Sequence, residues 1–147
     1  MKRAIAPSLA TLTAIALLSG CSMLGGSPVQ VFSVGQCVNI PDSAEEGDQE
    51  VGALPIVDCA DPHSGEVFYV EEMTDSTYPA DTPTIADEIC VAAFEGYVGI
   101  PYADSVLYGR SLYPTSATWE DGDRQIACLI VGDVGEELTG SMKDTAQ

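Results

Sequence analysis

Residues 57–70 read "VDCADPHSGEVFYV". The fold depends on whether this stretch is a Cys/His chemical site or a disulfide-tied turn between two strands. Residues 66–73 (EVFYVEEM) are β-branched and aromatic, the composition of a strand. Residues 53–58 (ALPIVD) form a shorter apolar run of the same kind. Between them, Asp61-Pro62-His63-Ser64-Gly65 has strong turn chemistry. The three pieces predict an antiparallel hairpin. Asp61 is expected to make an Asx-type turn ahead of Pro62, and His63 to hydrogen-bond a carboxylate or a backbone group.

The site reading of the same stretch is weaker. A structural zinc needs four ligands, usually close cysteine pairs with histidines. This chain has one histidine and no Cys-x-x-Cys. A Cys59–His63 nucleophile pair requires a reduced Cys59. Asp61, His63 and Ser64 lie in one turn, where a hydrolase triad rarely converges, and no Gly-x-Ser-x-Gly elbow is present. No metal, cofactor or catalytic residue is expected.

Working outward, the N-terminus supplies an address. Lys2 and Arg3 form a positive region, residues 9–18 (LATLTAIALL) an apolar one, and Ser19-Gly20-Cys21 follows. Charge, length and small residues before a cysteine resemble the lipobox of bacterial lipoprotein signal peptides. That resemblance implies a signal peptide over 1–20, a diacylglyceryl (palmitate-type) anchor on Cys21 and a flexible tether over 22–28. Two acyl chains suffice for stable anchoring. The expected location is the cell membrane, lipid-anchored on its extracytoplasmic face.

Loss of Lys2 and Arg3 with the signal would take the net charge from −18 to −20. Phosphate recognition needs basic clusters, and only Arg110, Arg124 and Lys143 remain, so nucleic acid is excluded as a partner. Outside the cytosol, Cys37, Cys59, Cys90 and Cys128 read as two disulfides.

Residues 31–39 (VFSVGQCVN) read as an irregular first strand, and 40–50 (IPDSAEEGDQE) as an acidic solvated loop. One helix starts at Thr82-Pro83, with Thr82 as N-cap and Pro83 at the first position, and ends at Gly99. Its buried face is expected to hold Ile85, Ile89, Ala92 and Gly96, flanked by Ala86, Cys90, Ala93 and Tyr97. Asp87 and Glu88 are expected near the positive end of its dipole. Residues 105–113 and 124–131 read as strands joined at an Asp121-Gly122 turn signal. The second is continuously apolar over 126–131, as in a strand buried on both faces. The fold class is α+β, a mostly antiparallel sheet with one main helix packed on it and order β-β-β-α-β-β. The domain is expected over 29–132, and 133–147 as an acidic disordered tail.

Val34-Gly35-Gln36-Cys37-Val38, then Pro55-Ile56-Val57-Asp58-Cys59 with Pro62-His63 and Glu66-Val67, then Cys90, Pro114, Trp119 and Gly122-Asp123-Arg124 before Cys128, form an ordered set. The set resembles the septum formation domain family of actinobacterial secreted and membrane-anchored proteins, over residues 34–131. The resemblance implies a link to cell division or the envelope and no established reaction. Gln36 stands where the family usually has Asp. The layout favours pairing 37–59 and 90–128 among three connectivities.

The functional expectation is a lipid-anchored, non-catalytic binding module for an envelope or division protein or a wall component. His63, Trp119 and Arg124 are its candidate binding or turn-structuring residues, with Tyr102, Tyr108 and Tyr113 as possible groove liners. Arg124 is expected to meet Asp123, Glu120 or Asp121, or the His63 turn. The alternatives are an envelope hydrolase using His63 with Ser64 or a carboxylate, and a calcium-dependent solute-binding lipoprotein using Glu45, Glu46, Asp48 and Glu50 or Glu120, Asp121 and Asp123. Neither acidic group matches an EF-hand loop.

Overall fold

Residues 126–131 alternate strictly between two apolar surroundings, and this alternation places the strand at the centre of the molecule. A computed structural model describes residues 29–41 and 52–147. The signal segment, Cys21, the 22–28 tether and the acidic positions 45, 46, 48 and 50 lie outside the described residues.

Strands β1 (Cys37–Val38), β2 (Ile56–Val57) and β3 (Gly65–Glu72) precede helix α1 (Thr82–Val98). Strand β4 (Tyr108–Leu112), the short helix α2 (Ser116–Glu120) and strand β5 (Gln125–Val131) follow. The five strands form one antiparallel sheet in the order β2-β1-β3-β5-β4. The α+β class with one main helix therefore holds, as do both disulfides, Cys37–Cys59 and Cys90–Cys128.

In β5, Ile126, Cys128 and Ile130 point into the core under α1, while Ala127 and Leu129 point into a second core on the opposite face. The strand is thus buried on both sides, as its unbroken apolarity predicts. In β3 a bulge at Phe68 shifts the register between Val67 and Tyr69. An extra residue in one strand resets the alternation. Phe68 and Tyr69 consequently both face the helix side, and Val67 and Val70 the other.

Helix α1 buries Ala86, Cys90, Phe94 and Tyr97. The expected face is rotated: Ile85, Ile89 and Ala93 flank it, and Ala92 and Gly96 are exposed. Phe94 sets the orientation, since it is the largest fully buried side chain of the helix. Its ring meets Phe68 edge-on at 5.6 Å and Tyr102 at 5.0 Å. Asp81, not Thr82, is the N-cap, and it makes no side-chain cap bond; the Thr82 hydroxyl instead donates to the Pro79 carbonyl at 2.7 Å. The first turn holds no acidic residue, so Asp87 and Glu88 lie beyond the stretch that the dipole favours. Gly99 ends the helix at φ 97°, the left-handed conformation that glycine adopts without a Cβ penalty.

Three further expectations change. The stretch 53–73 is not a hairpin: β1 is inserted between β2 and β3 and pairs with both. Backbone bonds from Val67 N to Gln36 O (2.8 Å) and from Asn39 N to Pro55 O (3.0 Å) hold it there. Neighbours in sequence need not pair when a third strand offers both a disulfide and ladder bonds. Second, β4 and β5 are not joined by a tight Asp121-Gly122 turn. Helix α2 intervenes, closed by a capping box in which Thr115 and Thr118 each accept the other's backbone N–H. Third, residues 133–147 are folded onto the domain and are not a disordered tail. Leu138 and Met142 are buried in the helix-side core. Asp144 N and Ala146 N donate to the Tyr97 and Val98 carbonyls (2.9 Å each), two of the acceptors a helix C-terminus leaves open.

Among the described residues, no second helix packs on the face away from α1. Phe32, Ile40 and Leu54 from irregular segments cover it. Two glutamine amides replace a ladder there. Gln30 accepts from Leu54 N (2.6 Å) and donates to Leu54 O (2.9 Å), and Gln125 does the same for Phe32 N (2.7 Å) and O (3.2 Å).

Candidate functional site

The Pro-His turn is held from beneath. The Asx-type bond belongs to Asp58, whose carboxylate accepts from Ala60 N at 2.9 Å, and not to Asp61. What Asp61 supplies is its main-chain carbonyl, 2.9 Å from His63 Nδ1. A carbonyl only accepts, so Nδ1 carries the hydrogen of this bond. His63 is fully buried, and its Nε2 has no hydrogen-bond partner among the described residues. The His63 backbone exchanges two bonds with Leu138, at 3.0 and 2.7 Å. The Ser64 hydroxyl turns away, accepting from Ile40 N at 2.5 Å.

Three residues past His63 lies a group that the sequence reading did not single out. Glu66 is fully buried in β3. Its carboxylate accepts from the Tyr97 hydroxyl (2.8 Å), the Ser141 hydroxyl (2.6 Å) and Met142 N (2.6 Å). One side chain thereby joins β3, α1 and the C-terminal segment. Strand alternation held the clue, because Glu66 shares a face with buried Phe68. The Cys37 and Cys59 sulfurs and the Glu66 carboxylate lie within 4.8 Å of one another. This is the one grouping of metal-type donors among the described residues, and its sulfurs are bonded to each other. A disulfide sulfur is not a thiolate ligand. Glu120, Asp121 and Asp123 do not form such a grouping.

Burial, and next the bond to Glu66, push the Tyr97 phenol up to about 12. A tyrosine in the unfolded chain ionises near about 10. The folded value is the higher one, so the stability that Tyr97 contributes is complete below about pH 10 and is lost as pH rises towards 12. Near-ultraviolet titration should therefore show a late phenol that Tyr97→Phe abolishes. A late phase that survives the substitution would assign it to Tyr69 instead, which Glu71 also raises.

Trp119 and Arg124 meet, but not with His63. The Arg124 guanidinium lies 3.6 Å above the Trp119 ring. Its Nη1 donates to the Trp119 carbonyl (2.8 Å) and the Asp123 carbonyl (2.6 Å). Arg124 thus reaches main-chain oxygens where a carboxylate was expected. Tyr78 meets the buried Trp119 edge-on at 5.7 Å. This cluster stabilises the α2–β5 corner. It sits at the far end of β3, where Met73 N donates to Arg124 O. Ten residues of extended chain from His63 put the two regions on the order of 30 Å apart. The tyrosines also separate. Tyr102 lines a concavity against α1, Tyr113 packs on the helix-side core, and Tyr108 is half exposed.

Gln36 accepts from Ser33 N at 2.8 Å through its side-chain oxygen. The position closes a turn with a neutral acceptor, so no charge is needed there.

These features define a class: a small α+β domain stapled by two disulfides, with its one histidine buried and, among the described residues, one buried acid. The family model for septum formation matches residues 34–147, and the chain belongs to that family. Membership links it to cell division and the envelope. The match extends to the last residue, in agreement with the folding of 133–147 onto the sheet. No curated protein and no solved structure matches the chain. No helix among the described residues is long and apolar enough to cross a membrane.

Proposed function

We propose that the protein is a lipid-anchored, non-catalytic interaction module, held by Cys21 at the extracytoplasmic face of the cell membrane and working in septum formation. The observation that carries this reading is the burial of His63. Its Nδ1 is engaged by a main-chain carbonyl, its ring is closed to solvent, and Ser64 is turned elsewhere. General acid–base work needs a group within reach of substrate. The hydrolase reading needs His63 within reach of substrate, and its ring is buried. The membrane is reached through the lipid, and the partner is an envelope or division protein or a wall component.

The test is complementation of a deletion strain. The wild-type chain should restore septation and fractionate with membranes, whereas Cys21→Ala should be found free and fail to restore it. His63→Ala should lower stability by about 2 kcal/mol or more, through the cavity it leaves. Normal septation in the deletion strain would overturn the reading. So would loss of a hydrolytic activity in His63→Ala at an unchanged melting temperature.

A further inference from the structure

Among the described residues, strand β4 lies at the edge of the sheet and pairs with β5 on one side only. Gly109 N donates outward to the Tyr102 hydroxyl at 3.3 Å. Strand alternation then points the Ser111 amide and carbonyl to the same outer side. The Gly109 N–H is thus already taken, and the edge beyond it, at Ser111, is a template for a further strand. Beside it, α1 and β4 enclose an open concavity of about 260 Å³, whose walls include Val91, Phe94, Tyr102 and Gly109. Val91 is 52% exposed there. At the Ser111 end stands Asp87, whose Oδ1 accepts from the Ser111 hydroxyl at 2.5 Å.

The charge around this groove is one-sided. Helix α1 carries Asp87, Glu88 and Glu95 and no basic residue. Arg110 is on the alternate parity of β4, with Leu112, which packs on the opposite face of the sheet. The whole chain has a net charge of −18. Resting on the reading of the protein as an interaction module, we propose that the α1–β4 groove takes an extended basic peptide of a partner protein, added as a strand to the outer edge of β4. Main-chain bonds to the Ser111 side of the strand supply affinity, and alternate side chains supply selection. A small apolar side chain sits opposite Gly109, against Val91 and Tyr102. Two positions along the peptide, on the same face, a lysine or arginine meets Asp87.

Gly109 offers a variant that leaves the fold intact. A Cβ there would make ordinary contact with the Tyr102 ring at 3.6 Å, and its φ is not in the left-handed region. Gly109→Val therefore adds bulk to the groove at a position whose φ and Cβ impose no strain.

The experiment uses the full chain in detergent and a short capped peptide in which valine and lysine alternate, with threonine between them. Calorimetry gives affinity at low and high salt, and hydrogen exchange locates the contact. The peptide should bind, protect Ser111 and weaken with salt. Asp87→Asn should cost about two- to fivefold in affinity. Gly109→Val should abolish binding, as should glutamate in place of lysine or N-methylation of the peptide amides that face β4. Absence of binding to the wild-type chain overturns the proposal. So does equal binding of the N-methylated peptide, or protection away from β4. These outcomes are independent of the septation phenotype: a deletion strain with a septation defect beside a chain that ignores the peptide removes the groove and keeps the module.

Discussion

Replacing Glu66 with alanine should undock the C-terminal segment and lower stability by about 3–5 kcal/mol. The carboxylate is the acceptor for three donors from two other parts of the chain. Ser141 is exposed and can turn to water once released. The Tyr97 hydroxyl and Met142 N cannot do so without opening the core, because both belong to buried residues. An orphaned buried donor forfeits roughly 1–3 kcal/mol, and the vacated volume adds to that. For a domain of this size, a loss of about 3 kcal/mol lowers the melting temperature by roughly 12–20 °C. Hydrogen exchange distinguishes the mechanism from a general weakening. The Met142, Asp144 and Ala146 amides should lose protection, while the β3–β5 ladder keeps it. Glu66→Gln should fall between wild type and alanine, because its NH2 would face the Met142 N–H, donor against donor. An alanine variant within about 1 kcal/mol of wild type, with Asp144 still protected, would remove Glu66 from this role.

That prediction rests on a part of the molecule the sequence conceals. Residues 133–147 have the composition of a solvated tail, with four acidic residues and little periodicity. Two apolar side chains, Leu138 and Met142, are enough to seat it once backbone partners are added at His63, Cys59, Tyr97 and Val98. Backbone bonding leaves no mark in composition. The pairing of β1 between β2 and β3 is hidden for the same reason, since each of the two short strands has only two residues and a register fixed by main-chain bonds. Longer signals were legible. The run at 126–131 gave the central strand, Gly99 gave the helix end, and the ordered cysteines gave both disulfides and the family. For the site, residue type alone drew His63, Trp119 and Arg124 together. Their positions on opposite ends of β3 separate them, and residue type carries no such distance. Glu66 was legible in principle, because a strand over 66–73 puts it on the same face as Phe68.

Removing the Cys90–Cys128 disulfide should be the most damaging change to the covalent frame, at about 4 kcal/mol in the chain-entropy model for its sequence separation of 38. The same model gives about 3 kcal/mol for Cys37–Cys59, separated by 22. Small domains are stable by only about 5–15 kcal/mol in all, so either loss is a large share. The two bonds differ more in access than in entropy. Cys90 and Cys128 are 4% and 0% exposed, clamped between α1 and the central strand. Cys59 is half-buried at the Pro-His turn, although its partner Cys37 is closed to solvent. A thiolate must reach a sulfur in line to displace its partner, so exposure sets the order of attack. A mild dithiol reductant at neutral pH should open Cys37–Cys59 in the folded protein and leave Cys90–Cys128 intact until denaturant is added. Alkylation followed by mass mapping reads this directly. The folded intermediate should keep the α1–β5 core and lose protection at Gly140, whose amide donates to Cys59 O. Simultaneous reduction of both bonds, or reduction of Cys90–Cys128 first, would mean that α1 leaves the sheet before the turn opens. The helix–strand clamp, not the turn, would then be the weak point of the fold.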